Sequence, residues 1–580
     1  MKRFLIIPVV FILSGFLYTG PERSLDKVTT ASDTSAFIEE KLSSMTLREK
    51  IGQMLVSSSK GFQLDKTGDE YKRLQKAVNE EKVGGFIFFQ GTSRDEAELI
   101  NDLQTQSEIP LLISADFERG TKMRLDDGSL FPNNMGIGAT RDPNLAYHMG
   151  RIIAMECRAL GIHQNYAPVV DVNNNANNPI INVRSFGEDP YLVSELADAM
   201  IKGLQDGGVI ATAKHFPGHG DTDIDSHNDL PVLNFGMDRL DSVELVPYFS
   251  AIRDNVMSIM IAHLAFPAVE HEPFVPASLS QKLVKDLLID YMNYKGLIVT
   301  DALNMEGIKK HFTTQQVAVM CVEAGIDLIL MPQGEKETID AIEKAVNDGT
   351  VTEERINESV RKILKAKLWL GLFENNIVDV EKAVNTINSK EAQDLSKIIA
   401  EASITLVKDD MDALPLDDMS GKNCAVVSIN NGLETANTGF FKDEFEKVAK
   451  SKFNNYTYTS VNGDVTNSNE ILASVENADV IVVPIYAKVK IKTGTVGLPQ
   501  SQLDLIKSLI ATGKKVIVIS FGNPYLIQGF LETPAYICAY GDGESSISAT
   551  IRAILGEIKF NGKLPVSISD EYKFGTGLVK

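Results

Sequence analysis

The chain has 580 residues, with 78 Asp and Glu against 57 Lys and Arg, a formal net charge of −21. That balance argues against a nucleic-acid partner, because phosphate binding needs basic stripes and the sequence shows none. The length exceeds a single-domain norm and implies two or three domains with ample core. Four cysteines (Cys157, Cys321, Cys424 and Cys538) lie far apart in apolar segments without a CxxC spacing. They read as small buried hydrophobes, not as a disulfide framework or a zinc site.

Met1-Lys2-Arg3 precedes an apolar run, FLIIPVVFILSGFLY, which Thr19, Gly20 and Pro21 bound. A short basic segment followed by a run of this length matches a secretory signal peptide over residues 1–20. The expectation is an exported, periplasmic or extracellular bacterial protein; the alternative is an uncleaved N-terminal anchor. Phe16 stands where a lipoprotein signal would need cysteine. The rest of the chain has no second run of such apolarity, so no stable membrane span is expected after signal removal.

From 36 to 372, short apolar runs alternate with amphipathic, helix-like stretches such as SELADAMIKGLQDGG and QQVAVMCVEAGI. The strand candidates are GQMLVSS, GGFIFF, LLISAD, HQNYAPVVDV, VIATAKH, SIMIAHLA, GLIVTD and DLILMP. Strands apolar on both faces and separated by helices imply a parallel sheet, and eight such units predict a TIM-like (β/α)8 barrel. In that fold chemistry gathers at the C-terminal strand ends. Asp116 ends the third run, Lys214 and His215 the fifth, His263 the sixth and Asp301 the seventh. One such Asp is commonly a helix N-cap; polar groups at four strand ends point to one pocket.

The fifth run leads into VIATAKHFPGHGDTDIDSHNDLP (209–231), where Pro217, Gly218 and Gly220 break regular structure around His215, His219 and His227. Three readings are open: a polar loop whose histidines cap turns, a metal site of His and Asp ligands, and a proton-transfer pair. The last is favoured by Asp225-Ser226-His227, where a carboxylate can accept from one imidazole nitrogen and leave the other for substrate. No cysteine lies nearby to favour metal.

KHFPGHGDTDIDSH, together with GLIVTDALNM, resembles glycoside hydrolase family 3, in particular its bacterial β-N-acetylglucosaminidase branch. The resemblance covers most of the chain. It implies Asp301 as the nucleophile and His227 as the general acid/base, oriented by Asp225. It also implies sugar contacts from Asp116 in SADFERG, Arg124, Arg184 in NVRSFGEDP, Lys214 and His215. Beside the resemblance stands a physical argument: retaining hydrolysis needs a carboxylate nucleophile and a donor that later turns base, and histidine titrates near neutrality without burial. The sequence departs from the family pattern at DFERGTKMR, where Arg119 and Lys122 alter the loop around the sugar, and at Thr300-Asp301-Ala302, a milder change.

Residues 373–400 read as a polar helical linker, and 401–580 as a C-terminal α/β/α sandwich with a mostly parallel sheet. Its strand candidates are SITLVK, CAVVSI, VIVVPIY, KVIVISFG, YICAYG and LPVSIS. This domain is expected to be structural or to cover substrate. GDGES (541–545) lacks the spacing of a nucleotide loop. Asn455-Tyr456-Thr457 matches a glycosylation pattern, which a bacterial source would make irrelevant. The asparagines after Asp171 read as a loop at the pocket rim, and Phe117, Phe186, Phe216 and Trp369 as buried.

The resulting expectation is a retaining exo-β-N-acetylglucosaminidase acting on GlcNAc-containing cell-wall (peptidoglycan) or chitin-like fragments, with no cofactor and no metal. Oligomeric state is left open. Alternatives are a β-N-acetylglucosaminide phosphorylase, a β-glucosidase of the same family, an inactive sugar-binding member and a metal-dependent barrel hydrolase.

Overall fold

The computed structural model describes residues 31–222, 230–272, 274–417, 419–432, 437–487 and 497–580. The expected signal segment and the Asp225-Ser226-His227 triplet lie outside the described residues. Eight parallel strands form the first sheet: β1 (Leu55–Ser59), β2 (Gly85–Phe88), β3 (Leu112–Ala115), β4 (Gln164–Asn165), β5 (Ile210–Phe216), β6 (Ser258–Ile261), β7 (Leu297–Thr300) and β8 (Ile329–Leu330). They pair in the order β7-β6-β5-β4-β3-β2-β1-β8. A bridge between Val299 and Leu328 closes the ring. Both faces of these strands are buried, inward against the barrel centre and outward against the helices, which is why the runs are apolar throughout.

Local chemistry sets where the connecting helices start and stop. Asp189 accepts from Leu192 N at 2.8 Å at the start of Pro190–Asp206, and Thr313 forms a reciprocal cap with Gln316 before Thr314–Ala324. The helix Pro143–Leu160 ends at Gly161, whose φ of 86° is the left-handed conformation that stops a helix cheaply only at glycine.

Beyond the helices Val380–Thr386 and Lys390–Ser403, a second sheet is built from β9 (Thr405–Asp409), β10 (Asn423–Asn430), β11 (Asn455–Asn462), β12 (Val480–Tyr486), β13 (Lys515–Ser520) and β14 (Ala535–Cys538). Its order is β11-β10-β12-β13-β14-β9, parallel except that β9 runs against β14. Alternate side chains enter two separate cores. Ala425, Val427 and Ile429 of β10 pack on one face with Ile481 and Val483 of β12, while Cys424 and Val426 pack on the other with Val480 and Val482. The domain is therefore a sandwich with helices on both faces. All four cysteines are buried and free.

The structure corrects three strand assignments. HQNYAPVVDV is a regular strand only at Gln164–Asn165; beyond it the chain stays against its neighbours in broken form, with Tyr166 N donating to Ala115 O at 2.9 Å, Thr212 N to Ala167 O at 2.9 Å and a bridge between Val169 and Lys214, because Pro168 lacks an amide to continue the ladder. LPVSIS is not a strand: it is an irregular segment docked on the barrel, its Pro565 O accepting from Glu188 N at 3.0 Å and its Ser567 N donating to Glu188 at 2.7 Å. The strand that takes its place in the sheet is β11, NYTYTSVN, where only Val461 is buried. As an edge strand with polar faces it carries no apolar run for sequence reading to find.

Candidate active site

The barrel brings Asp116, Arg124, Arg184, Lys214, His215 and Asp301 to its C-terminal face, and adds two acids, Glu118 and Asp171. Asp116 immediately follows β3, Lys214 and His215 lie within β5, and Asp301 immediately follows β7. Lys214, with a side chain only 3% exposed, sits 2.9 Å from both Asp116 Oδ1 and Glu118 Oε1. Asp116 Oδ2 accepts from Arg124 at 3.0 Å, and Arg124 lies over the Phe89 ring. Glu118 takes two parallel bonds from Arg184, at 2.7 and 3.0 Å. Two carboxylates and three cations form one buried chain of charge-assisted bonds.

Burial alone would raise both carboxyls. Lys214 and Arg124 instead hold Asp116 below its ordinary value, and Arg184 with Lys214 holds Glu118 well below. Lys214 is driven up by the same acids against its own desolvation.

A second cluster orders the β5 loop. Asp171, fully buried, accepts from His215 Nδ1 at 2.7 Å and from His219 N at 2.7 Å. With Nδ1 held on Asp171, His215 Nε2 faces Arg184 Nη2 at 3.4 Å. His219 bonds Thr222 through Nδ1 at 2.8 Å, while its buried Nε2 has no hydrogen-bond partner among the described residues. Burial beside His215 pushes His219 down to about 4, so it is neutral at pH 7. Gly220 is required here: a Cβ would stand 1.8 Å from Val172 O. Asn178 donates to His219 O and Gly220 O at 2.8 and 2.9 Å, so the asparagine-rich segment buttresses this loop.

Asp301 is partly open to the pocket. One of its oxygens accepts from Ala302 N at 2.7 Å. Desolvation would raise its carboxyl; His263, His215 and Lys214 lower it to about 2. His263 bonds Ser278 Oγ at 2.8 Å and Ala302 O at 3.1 Å, so it also braces the backbone beside Asp301. Phe117, Phe186 and Phe216 are fully buried. Among the described residues no three His, Cys, Asp or Glu groups form a metal-holding cluster; the acids and imidazoles here are spent on one another and on cations.

Sequence reading missed Glu118 and Asp171. Glu118 stands two residues past Asp116 in DFERG, a spacing that returns to the same side of an extended chain, and this signal was available. Arg119, which departs from the family pattern, is half-buried, with desolvation pulling its guanidinium down, and lies within electrostatic reach of Asp542 in the second domain. That domain also reaches the barrel through Tyr525, whose hydroxyl accepts from Asn173 at 2.9 Å, and through the Ser567 bonds to Glu188.

Residues 46–366 match the family model described as Glycosyl hydrolase family 3 N terminal domain, and 404–574 match the Glycosyl hydrolase family 3 C-terminal domain. This chain belongs to glycoside hydrolase family 3. As a family 3 enzyme it is a glycoside hydrolase acting on carbohydrate. It is 30% identical to beta-hexosaminidase A of Pseudoalteromonas piscicida over 86% of this chain and 91% of that one. The structure of a family 3 beta-N-acetylglucosaminidase from Paenibacillus sp. str. FPU-7 superimposes with a TM-score of 0.80 at 33% identity, covering 91% of this chain and 99% of that chain. A beta-glucoside phosphorylase, BglX, bound to 2FGlc, superimposes with a TM-score of 0.84 at 27% identity over 93% and 97% of the two chains. No helix among the described residues is long and apolar enough to cross a membrane.

Proposed function

We propose that this family 3 glycoside hydrolase is a retaining exo-β-N-acetylglucosaminidase that removes terminal GlcNAc from peptidoglycan or chitin-like fragments. The observation that carries the reading is Asp301: a partly exposed carboxylate at the end of β7, held down to about 2 by His263, His215 and Lys214, at the same end of the barrel as the Asp116, Lys214, Arg124 and Arg184 set. In the first step Asp301 attacks the anomeric carbon while His227, oriented by Asp225, protonates the glycosidic oxygen as it leaves. In the second, His227 takes a proton from water, which displaces Asp301 from the sugar. Asp116 accepts from sugar hydroxyls, while Lys214 and the arginines keep that acid ionised and donate to the sugar in turn.

Similarity to a beta-hexosaminidase and to a beta-N-acetylglucosaminidase supports the acetamido sugar as substrate. A second reading, phosphorolysis, rests on the overlap with a phosphorylase and on a histidine donor, which would not repel an anionic acceptor as a carboxylate would. The basic, apolar start of the chain supports export.

The test is cleavage of aryl β-N-acetylglucosaminide and aryl β-glucoside, with and without phosphate, by the wild type, Asp301→Asn and His227→Ala. Strong preference for the acetamido sugar, with both variants at least 10³-fold slower, is expected. A phosphate-dependent sugar phosphate would make the enzyme a phosphorylase, and full activity of Asp301→Asn would refute the assignment.

A further inference from the structure

A second cleft lies on the outside of the barrel, between the helices Pro190–Asp206 and Val246–Arg253, with a volume of about 740 Å³. Few aromatic side chains of the described residues are strongly exposed, and three of them gather here: Tyr191 at 72%, Phe249 at 38% and, just beyond the cleft, Tyr291 at 61%. Tyr191 and Phe249 line the cleft, and Tyr291 packs edge-on to Phe249 with ring centroids 6.1 Å apart. Exposed rings grouped around a concavity mark a binding surface more often than chance exposure does.

The lining also contains built polar chemistry. Asp198 Oδ2 accepts from Ser250 Oγ at 2.5 Å, and Arg253 Nη2 donates to the same hydroxyl at 2.8 Å. Asp198 Oδ1 is buried with no hydrogen-bond partner among the described residues. A carboxylate oxygen in that state favours a donor from a ligand or water. Tyr191 is the second residue of its helix and Asp198 stands seven residues further on, so the two are about 10 Å apart along the axis, room for two linked sugar rings. The Tyr191 end of the cleft belongs to the helix that begins six residues after Arg184.

We propose that this cleft is a second carbohydrate site, which holds a β-linked N-acetylhexosamine strand by stacking sugar rings on Tyr191 and Phe249 while Asp198 accepts a sugar hydroxyl. The apolar face of a pyranose suits an aromatic ring, and its equatorial hydroxyls suit a carboxylate beside that ring. The sugar class rests on the proposed function; the cleft itself does not. Its role is to keep the enzyme on a polymer while the barrel mouth works on chain ends.

The experiment compares the wild type, Tyr191→Ala/Phe249→Ala and Asp198→Asn for retention on insoluble chitin and on purified peptidoglycan in the cold. Each is also assayed for kcat/KM on aryl β-N-acetylglucosaminide and for melting temperature. The expected result is at least a fivefold loss of retention for the double variant and a smaller loss for Asp198→Asn, with kcat/KM within twofold of the wild type. The glycan on which retention is lost identifies the source of the strand. Equal retention of wild type and variants, or no retention of the wild type on either glycan, overturns the proposal. So does a change in sedimentation of the double variant, which would make the cleft a contact between copies of the chain. The aryl-glycoside assay reports on the active site alone, so failure of the proposed activity appears there and failure of the cleft appears in retention.

Discussion

Glu118 and Arg184 are joined by two parallel hydrogen bonds, from Arg184 Nη2 to Oε1 at 2.7 Å and from Nε to Oε2 at 3.0 Å. The carboxylate is almost wholly buried, and Lys214 reaches the same Oε1 at 2.9 Å. Glu118 is thus the node that fixes two cations of the pocket at once. Neutralising it while keeping its shape, Glu118→Gln, leaves Lys214 and Arg184 short of counter-charge and free to turn. The expected result is a rise in KM of about tenfold, roughly 1.4 kcal/mol, with a smaller change in kcat. Glu118→Ala should also lower the melting temperature, since losing one partner of a buried pair costs about 3 kcal/mol or more. A KM for Glu118→Gln within twofold of wild type would show that the pair does not position substrate.

Under the proposed mechanism, ionisation of the Asp301 nucleophile bounds the acid side of the pH profile. Its carboxyl is lowered to about 2, so the ionised form needed for attack is lost only as pH falls through that value. Between pH 4 and 7, kcat/KM should therefore show no acid limb from Asp301, and any limb there belongs to another group. Replacing His263 with Gln removes the largest charge that holds Asp301 down and should move the acid limb upward, toward the ordinary carboxylate range. An unmoved profile would mean that His263 does not act on Asp301.

Glu96 provides a stability test outside the site. It is fully buried, both carboxylate oxygens lack hydrogen-bond partners among the described residues, and desolvation with Asp127 nearby raises it to about 8. A raised carboxyl costs nothing below the unfolded value. Its cost grows as pH climbs through the interval up to about 8, because the unfolded chain ionises there and the folded chain does not. Glu96→Gln should melt with the wild type near pH 4.5 and several degrees higher near pH 8, a gain of about 2 kcal/mol. Equal melting at both pH values would show that Glu96 ionises without penalty.

The second domain should act on the barrel through Glu188, which follows Arg184 by four residues and binds Ser567 N and Oγ at 2.7 and 2.5 Å. Glu188→Ala releases the Arg184 segment from that domain and should raise KM about fivefold with kcat nearly unchanged. Ser567→Ala keeps the backbone bond and should have a lesser effect. Identical kinetics in both variants would place the contact outside substrate positioning.

Much of this protein was legible in its order of residues. The apolar runs between helices announce a barrel, because a strand covered on both faces can carry no polar side. Polar groups closing those runs, Asp116, Lys214, His215 and Asp301, announce its working face, and the KHFPGHG segment together with TDALNM announces the family. What the sequence did not disclose depended on three-dimensional neighbours. β11 has polar faces and is a strand only because β10 pairs with it. LPVSIS has the composition of a strand, yet its partner is the Glu188 loop of the barrel and not a sheet. Glu118 and Asp171 look like any acid near a strand end; they become parts of the site because folding sets Lys214, Arg184 and His215 against them, and such pairing across 44 to 96 residues has no local signature. Asp301 is acidic in sequence by identity, but it is held at about 2 by imidazoles and an ammonium brought from other strands. Periodicity and motif are local properties, so one chain reveals them; charge and hydrogen-bond complementarity between distant segments exist only once the barrel has closed.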